Sequence, residues 1–351
     1  MPINIDPWFL ENLVCPVLKT PLANSNGKLV SEDGTEYNLI EGIPIMLRPE
    51  WDATLHVARS SLEVAKSGSE TRTPASIYEE TLGISDDEKR EMLTFIKQYP
   101  NLDIDAVVSY LIVATNGIMY KHLIGKLHKY PIPEIRLPQS RGVLLDVGCN
   151  WGRWAIAASR KGYDVIGIDP SLGAVMAGRR VAEKLGLKIR YLVGDSRYLP
   201  FRPDIFDVAF SYSVIQHMSF ENATRSLSEI KRVLLKGGYS LIQMPNKLGI
   251  RCLYHQIKRK FKSPEGFEVR YWSLGKLKAT FSKIIGSSTV SVDCFFGLGI
   301  QRSDVELMPW FKKIVIIFSS ILTQLSCCLP FLTFFADSIY VYSKKSQETK
   351  N

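Results

Sequence analysis

From Val143 onward the chain alternates between short apolar runs and stretches of helical period. The runs "GVLLDVGC", "YDVIGIDPS", "KIRYLVGDS", "FDVAFSYSV" and "GYSLIQMPN" read as buried strands. Helices are predicted between them at about 152–161, 173–185 and 221–235. Such alternation predicts an α/β fold: a doubly wound, mostly parallel sheet with helices on both faces, whose ligands bind beyond the strand C-termini. Upstream, "LVCPVLKTPL", "GKLV" and "TEYNLIEGIPIMLRP" predict a small β unit, with turns at Asn24 to Gly27 and at Asp33 to Gly34. A polar stretch from Trp51 to Thr73 follows, and "SGSETRTPAS" reads as a linker. Two helices are then expected, Ser76 to Tyr99 and Asp103 to Lys129, the second with Val107, Val108, Leu111 and Ile112 and later Ile118, Met119, Leu123 and Leu127 in helical spacing. Pro131, Pro133 and Pro138 end it. The expected organisation is a β unit at 1–50, a linker and helical cap at 51–140, and a large domain at 141–351.

One run fits neither pattern. Between Ile314 and Ala336 there is no charged residue, a length that would span a bilayer at about 20 residues per crossing. Yet "ADSIYVYSKK", Ala336 to Lys345, reads as a last strand that must lie beside "STVSVDCFFG", so a single crossing would tear the fold apart. Pro330 divides the run, which predicts a helical hairpin or a broken helix inserted at 312–336. Two readings follow: the insertion packs on the domain or on a second subunit, or it dips into one leaflet of a membrane.

Composition adds limits. At 351 residues, 46% hydrophobic and 23% charged, with mean hydropathy +0.00, the chain is expected to be soluble in bulk and not a polytopic membrane protein. The net charge of +9 is concentrated between Lys247 and Lys283, where ten Lys or Arg face only Glu265 and Glu268. Such a block suits nucleic acid, an anionic membrane or an acidic substrate, and equally a solvated helical face. The 6 cysteines show no metal or disulfide spacing, and the opening "MPINIDPWFLENLVCP" lacks a signal-peptide pattern. A cytoplasmic location, with a peripheral membrane contact as a variant of it, and no bound metal are expected.

The candidate chemistry lies at "DVGCNWGRW", Asp146 to Trp154. Gly148 lets a ligand approach the backbone and Gly152 lets the helix start pack closely on the strand. A dinucleotide would want G-x-G-x-x-G around its pyrophosphate, and Asn150 stands where the middle glycine belongs. Asp146 suits a cationic group, Asp169 at the end of the second strand suits a ribose diol, and Asp195 after the third suits an adenine amine. Each acid has a bland alternative: a loop cap for Asp146, an ion pair with Arg179 for Asp169, an Asx-turn for Asp195. Cys149 reads as a small packing residue rather than a nucleophile, having no basic partner fixed beside it.

In order and spacing, "LLDVGCNWGRW", "VIGIDPS", "VGDSRYLPF", "FDVAFSYSVIQHM" and "EIKRVLLKGGYSLIQMPN" resemble the motifs of class I S-adenosylmethionine-dependent methyltransferases. The resemblance covers about Val143 to Asn246 and departs from the usual D-x-G-C-G-x-G at Asn150. It implies a seven-stranded Rossmann-like sheet with an antiparallel last strand, S-adenosyl-L-methionine as cofactor, and a cofactor-facing set of Asp146, Gly148, Cys149, Gly152, Asp169, Pro170, Asp195, Ser196 and Ser211. The "LVCP" and "YNLIEGIPIML" stretches resemble the small zinc-ribbon-like proteins that accompany certain methyltransferases. Here the segment would be a degenerate, metal-free ribbon, because no second Cys follows Cys15 and no Cys or His pair appears later in it.

Methyl transfer from a sulfonium is in-line displacement, which needs alignment and exclusion of water more than a base. If the acceptor must lose a proton, His217 is the best-placed candidate, with Tyr212 and His255 behind it; a packing role for His217 stays open. The fourth strand ends "SYSV", without the N-P-P-Y type sequence of amino-group enzymes, and no Pro-Cys pair offers a cytosine nucleophile. A small-molecule, glycan or lipid-linked acceptor is therefore expected. An RNA methyltransferase, through the basic block, and a nicotinamide-dependent oxidoreductase are the alternatives.

Overall fold

A computed structural model describes residues 5–25, 27–48, 56–67, 77, 80–98, 104–116, 118–124, 126–297 and 299–346. Helix α1 (Pro7–Asn12) starts on Asp6, whose carboxylate accepts from the Trp8 N–H at 2.9 Å. Strands β1 (Ala23–Ser25), β2 (Lys28–Val30), β3 (Glu36–Ile40) and β4 (Ile43–Met46) follow as an antiparallel meander. All four residues of β4 are buried, so this strand is apolar on both faces and wants a neighbour on each edge. It finds the second one far along the sequence.

Helices α2 (His56–Ser67), α3 (Asp86–Gln98) and α4 (Ala106–Asn116) come next. They lead to the alternating region: β5 (Val143–Val147), α5 (Arg153–Arg160), β6 (Asp164–Asp169), α6 (Leu172–Lys184), β7 (Ile189–Gly194), β8 (Phe206–Ser211), α7 (Phe220–Val233) and β9 (Leu234–Pro245). The chain closes with α8 (Ile250–Lys258), α9 (Leu274–Ile284), β10 (Ser288–Cys294), α10 (Trp310–Cys328), a 3-10 turn at Pro330–Phe335, and β11 (Ser338–Lys344).

The sheet has eleven strands, ordered β1-β2-β3-β4-β7-β6-β5-β8-β9-β11-β10, and not the seven expected. Seven of them are the expected sheet, with β7, β6, β5, β8 and β9 parallel and β11 antiparallel to both neighbours. The other four are the N-terminal unit, joined where β4 pairs in parallel with β7 (Ile45 opposite Val193, Met46 opposite Gly194). The small β unit therefore has no core of its own; it extends the large one and covers an edge that would otherwise expose its hydrogen-bonding groups.

Two expectations change between 51 and 140. Residues 56–67 form a helix and not a polar connection, burying Val57, Ser60, Ser61, Val64 and Ala65. The "SGSETRTPAS" linker lies almost wholly outside the described residues. The single helix expected over Asp103 to Lys129 is instead α4, ending at Asn116, and a separate 3-10 turn, Ile118–Leu123. One core lies between the sheet and α4, α5 and α6; a second lies on the opposite face, under α1, α7 and α9.

Candidate functional site

Strands β5 and β6 end side by side, Asp146 opposite Gly167 and Val147 opposite Ile168. The loop after β5 folds back on its neighbour, the N–H groups of Gly148 and Cys149 both donating to the Ile168 carbonyl (2.8 and 3.1 Å). Gly148 and Gly152 have φ of +74° and +79°, a region that L side chains rarely adopt. A Cβ at Gly152 would drive into the Tyr191 hydroxyl of β7, so this glycine makes the close packing expected of it. A Cβ at Gly148 would meet the Val214 side chain, which reaches over from the loop after β8. Asn150 also takes a left-handed conformation, φ +47°, which Asn tolerates. Its N–H donates to Asp169 at 2.9 Å and its own side chain accepts from the Trp151 N–H at 2.8 Å.

Asp146 and Asp169 come together at these strand ends, buried to 1% and 8% exposure. Burial first, and then the neighbouring Asp169 charge, push the Asp146 carboxyl up to about 8, against one N–H donated by Ala155. Its Oδ2 is buried without a hydrogen-bond partner. Burial likewise raises Asp169 to about 6, although the Ser171 and Asn150 N–H groups, each at 2.9 Å, hold its two oxygens. The ion pair with Arg179 does not form; that guanidinium binds Glu41 and Glu183. Two close carboxylates, one with an orphan oxygen, make a site that gains by receiving N–H or O–H donors or a positive charge.

The remaining candidates spread outward. The Pro170 carbonyl accepts from Ser61 of α2 at 2.8 Å, and Ser171 Oγ donates to the Thr81 carbonyl at 2.6 Å, so the helical cap is sealed onto the start of α6. The Cys149 thiol is buried beside both acids, which with burial raise it far above the ordinary thiol range; it stays protonated and unreactive. Asp195 caps the short turn after β7, and both its oxygens accept from Arg197 (Nη2 at 2.6 Å). Ser196 turns toward α7, 3.0 Å from the Ser226 hydroxyl, and Ser211 ties β8 to β5 through the Val147 carbonyl at 2.9 Å.

His217 and Tyr212 are both engaged. The His217 Nδ1–H donates to the Phe267 carbonyl at 2.6 Å, its Nε2 lies 3.2 Å from the Gln216 amide nitrogen, and its ring stacks on Phe267. Burial, with some repulsion from Arg270, lowers its pKa to about 4, so it is neutral at pH 7 with its lone pair facing a donor. Tyr212 donates to Asp293 at 2.7 Å and accepts from Gln301 at 3.0 Å, under the Trp154 ring. Burial and Asp293 hold its phenol well above the usual range. His255 lies on α8, exposed.

Arg153 was not singled out in the sequence. It is buried at the start of α5, paired with Asp304 and donating to the Pro131 carbonyl at 2.6 Å, while Tyr120 donates to the same Asp304 at 2.6 Å. This cluster fastens the helical cap to the loop end of the sheet. Its one sequence signal is an arginine inside an otherwise small and apolar helix start.

Among known proteins, residues 144–238 match the family model described as a methyltransferase domain. A ubiquinone biosynthesis O-methyltransferase of Azorhizobium caulinodans is 29% identical over 76 residues, 22% of this chain and 30% of that protein. A demethylmenaquinone methyltransferase of Thermus thermophilus is 30% identical over 110 residues, 30% of this chain and 48% of its own. The chain thus spans less than half the length of these curated relatives. Phosphoethanolamine N-methyltransferase 2 of Haemonchus contortus, solved with S-adenosylmethionine, overlaps 79% of this chain and 60% of its own at 17% identity and a TM-score of 0.42. Residues 144–238 are thus similar to a methyltransferase domain. The matched residues begin well beyond the N-terminal β unit, so the zinc-ribbon resemblance gains no support from them.

Proposed function

We propose that the protein is an S-adenosylmethionine-dependent methyltransferase acting on a small-molecule, glycan or lipid-linked acceptor. The observation that carries this reading is the buried pair Asp146 and Asp169 at adjacent strand ends, with the Asp146 orphan oxygen. Asp146 would receive the ammonium end of the cofactor and Asp169 its ribose hydroxyls, each oxygen of Asp169 keeping a lone pair beyond its single backbone donor. Gly148, Cys149, Gly152 and Pro170 shape the loop walls, and Ser196 and Ser211 hold those walls to α7 and β5. Asp195 would meet an adenine amine only in place of one of its Arg197 contacts, since Arg197 donates to both its oxygens.

When bound, the cofactor supplies a methyl group already activated by a sulfonium. The chain's own residues then align the acceptor and keep water away: Tyr212 and Trp154 wall the β8 side, and the cap sealed by Ser61 and Thr81 covers the β6 side. His217 and Tyr212 serve here as positioning groups, because one is too weak a base and the other too firmly protonated to accept a proton near pH 7. The names of the relatives, which include quinone-biosynthesis enzymes, favour a small acceptor. Two measurements test the reading: calorimetric binding of S-adenosylmethionine, and transfer of labelled methyl into fractions of cell extract. Binding with transfer into a small organic molecule or lipid supports it; nicotinamide dinucleotide binding in place of S-adenosylmethionine overturns it.

A further inference from the structure

Helix α10 and the 3-10 turn after it bury almost nothing. Of 19 residues in α10 only Ile316 and Ser319 are buried, against the end of β10, where Ser319 accepts from the Phe295 N–H at 2.9 Å. The outward faces carry Trp310 (73% exposed), Ile314, Ile317, Phe318, Phe331 and Phe334, and no charge lies between Lys313 and Asp337. The helix is long and apolar enough to cross a membrane by length and composition. It cannot do so within this fold, because β10 and β11 on either side of it are hydrogen-bonded neighbours, Cys294 opposite Ser338.

A second exposed face adjoins it. Helix α8 is pinned to the insertion by Asp337, whose carboxylate accepts from the Arg251 and Cys252 N–H groups at 2.6 and 2.8 Å, and by Asn246, whose amide donates to the Phe334 carbonyl at 2.8 Å. On α8 and the turn after it Ile250, Tyr254, Ile257 and Phe261 are exposed, interleaved with exposed Arg251, Lys258, Lys260 and Lys262. An uncharged apolar ridge beside an apolar and basic helix matches the chemistry of an anionic bilayer surface, with hydrocarbon for the ridge and headgroup charge for the lysines.

We infer that the face formed by α10, Pro330–Phe335 and α8 docks on an anionic lipid bilayer, lying in its interface. The cavity of about 330 Å³ beneath α10 fits this arrangement. It is lined by Ser319 and Thr323 on the helix and by Asp293 and Gln301, both hydrogen-bonded to Tyr212, which follows directly on β8. The inference stands apart from methyl transfer, and its test uses no cofactor.

Flotation of the full chain with vesicles decides it. One set is phosphatidylcholine alone and the other contains about one-third phosphatidylglycerol, each over a range of salt. Binding should require the anionic lipid and weaken with salt. A triple variant, Lys258→Glu, Lys260→Glu and Lys262→Glu, should lower the partition coefficient by at least about a hundredfold, from roughly fivefold per surface charge. Ile317→Glu with Phe318→Glu should abolish binding; both residues are exposed, so an unchanged melting curve shows that these variants are folded. Two results would overturn the inference: no flotation of the unaltered protein with anionic vesicles, or flotation that folded variants retain. A dimer in solution that Ile317→Glu with Phe318→Glu dissolves, without vesicle binding, would assign the face to a second copy instead.

Discussion

Four buried carboxylates stand at the loop end of the same sheet, two at β5 and β6 and two at β10 and β11, and their surroundings differ. Asp337 has backbone donors on both oxygens: the N–H groups of Arg251 and Cys252 meet one and that of Phe296 the other, and it does for α8 what Gly249 at that N-cap position has no side chain to do. Asp293 accepts from Tyr212 and Ser338 and faces Arg136. Asp146 has an oxygen without a partner, and the pair it forms with Asp169 is raised to about 8 and 6. A buried acid with partners on both oxygens holds structure together; one left with an orphan oxygen, as Asp146 is, is suited to a donor that arrives from outside.

The sharpest break should come at Asp337. Asp337→Ala strips α8 and the loop after β10 of three backbone partners at once, and thermal or urea unfolding should show a loss of about 3–5 kcal/mol. A loss under 1 kcal/mol would erase the distinction between the two pairs. Asp169→Ala should leave a folded protein whose affinity for S-adenosylmethionine falls by about 1.5–3 kcal/mol, the worth of hydrogen bonds to a charged partner, as read by calorimetry.

Asp146→Asn should have opposite effects on stability and on binding. A carboxyl raised from 3.8 to about 8 in the folded state binds more protons there than in the unfolded chain, so its contribution to stability is present at low pH and is lost as pH rises toward 8. The Asn variant should therefore be more stable than the parent at pH 8, by about 1–3 kcal/mol, with the gap closing by pH 4. Its cofactor affinity should nonetheless fall. The smallest effect is expected at His217→Ala: cofactor affinity within about twofold of the parent in the same titration, since its ring binds Phe267 and Gln216 and neither acid.

The parallel order and the β5 loop were legible in sequence because they rest on short-range rules. Apolar runs of strand length alternate with helical period, and two glycines must adopt positive φ within five residues of each other. Asn150, which departs from the usual loop, proved compatible because an Asn reaches the same conformation. What was not legible depends on residues far apart. Nothing near Ile43 to Met46 says that the strand pairs with β7, about 150 residues on; only its burial on both faces hints at it. The same distance hides the Arg153 and Asp304 pair, the cap that Asp337 lends to α8, and the Val214 side chain lying where Gly148 has none. The Asp195 carboxylate had been assigned to an incoming ligand, while the arginine two positions along already holds both its oxygens.

The central claim, that Asp146 and Asp169 await a cationic, hydroxyl-bearing cofactor, is tested most directly by the protons exchanged on binding. Calorimetric titration of S-adenosylmethionine at pH 7, repeated in buffers of different ionisation enthalpy, counts them. The account predicts release of a substantial fraction of a proton, since Asp146 is mostly protonated in the free protein and must ionise to receive an ammonium, together with affinity that climbs between pH 6 and 8. In Asp146→Asn the release should vanish. Tight binding with no proton released, and with no change in the Asn variant, would contradict the account.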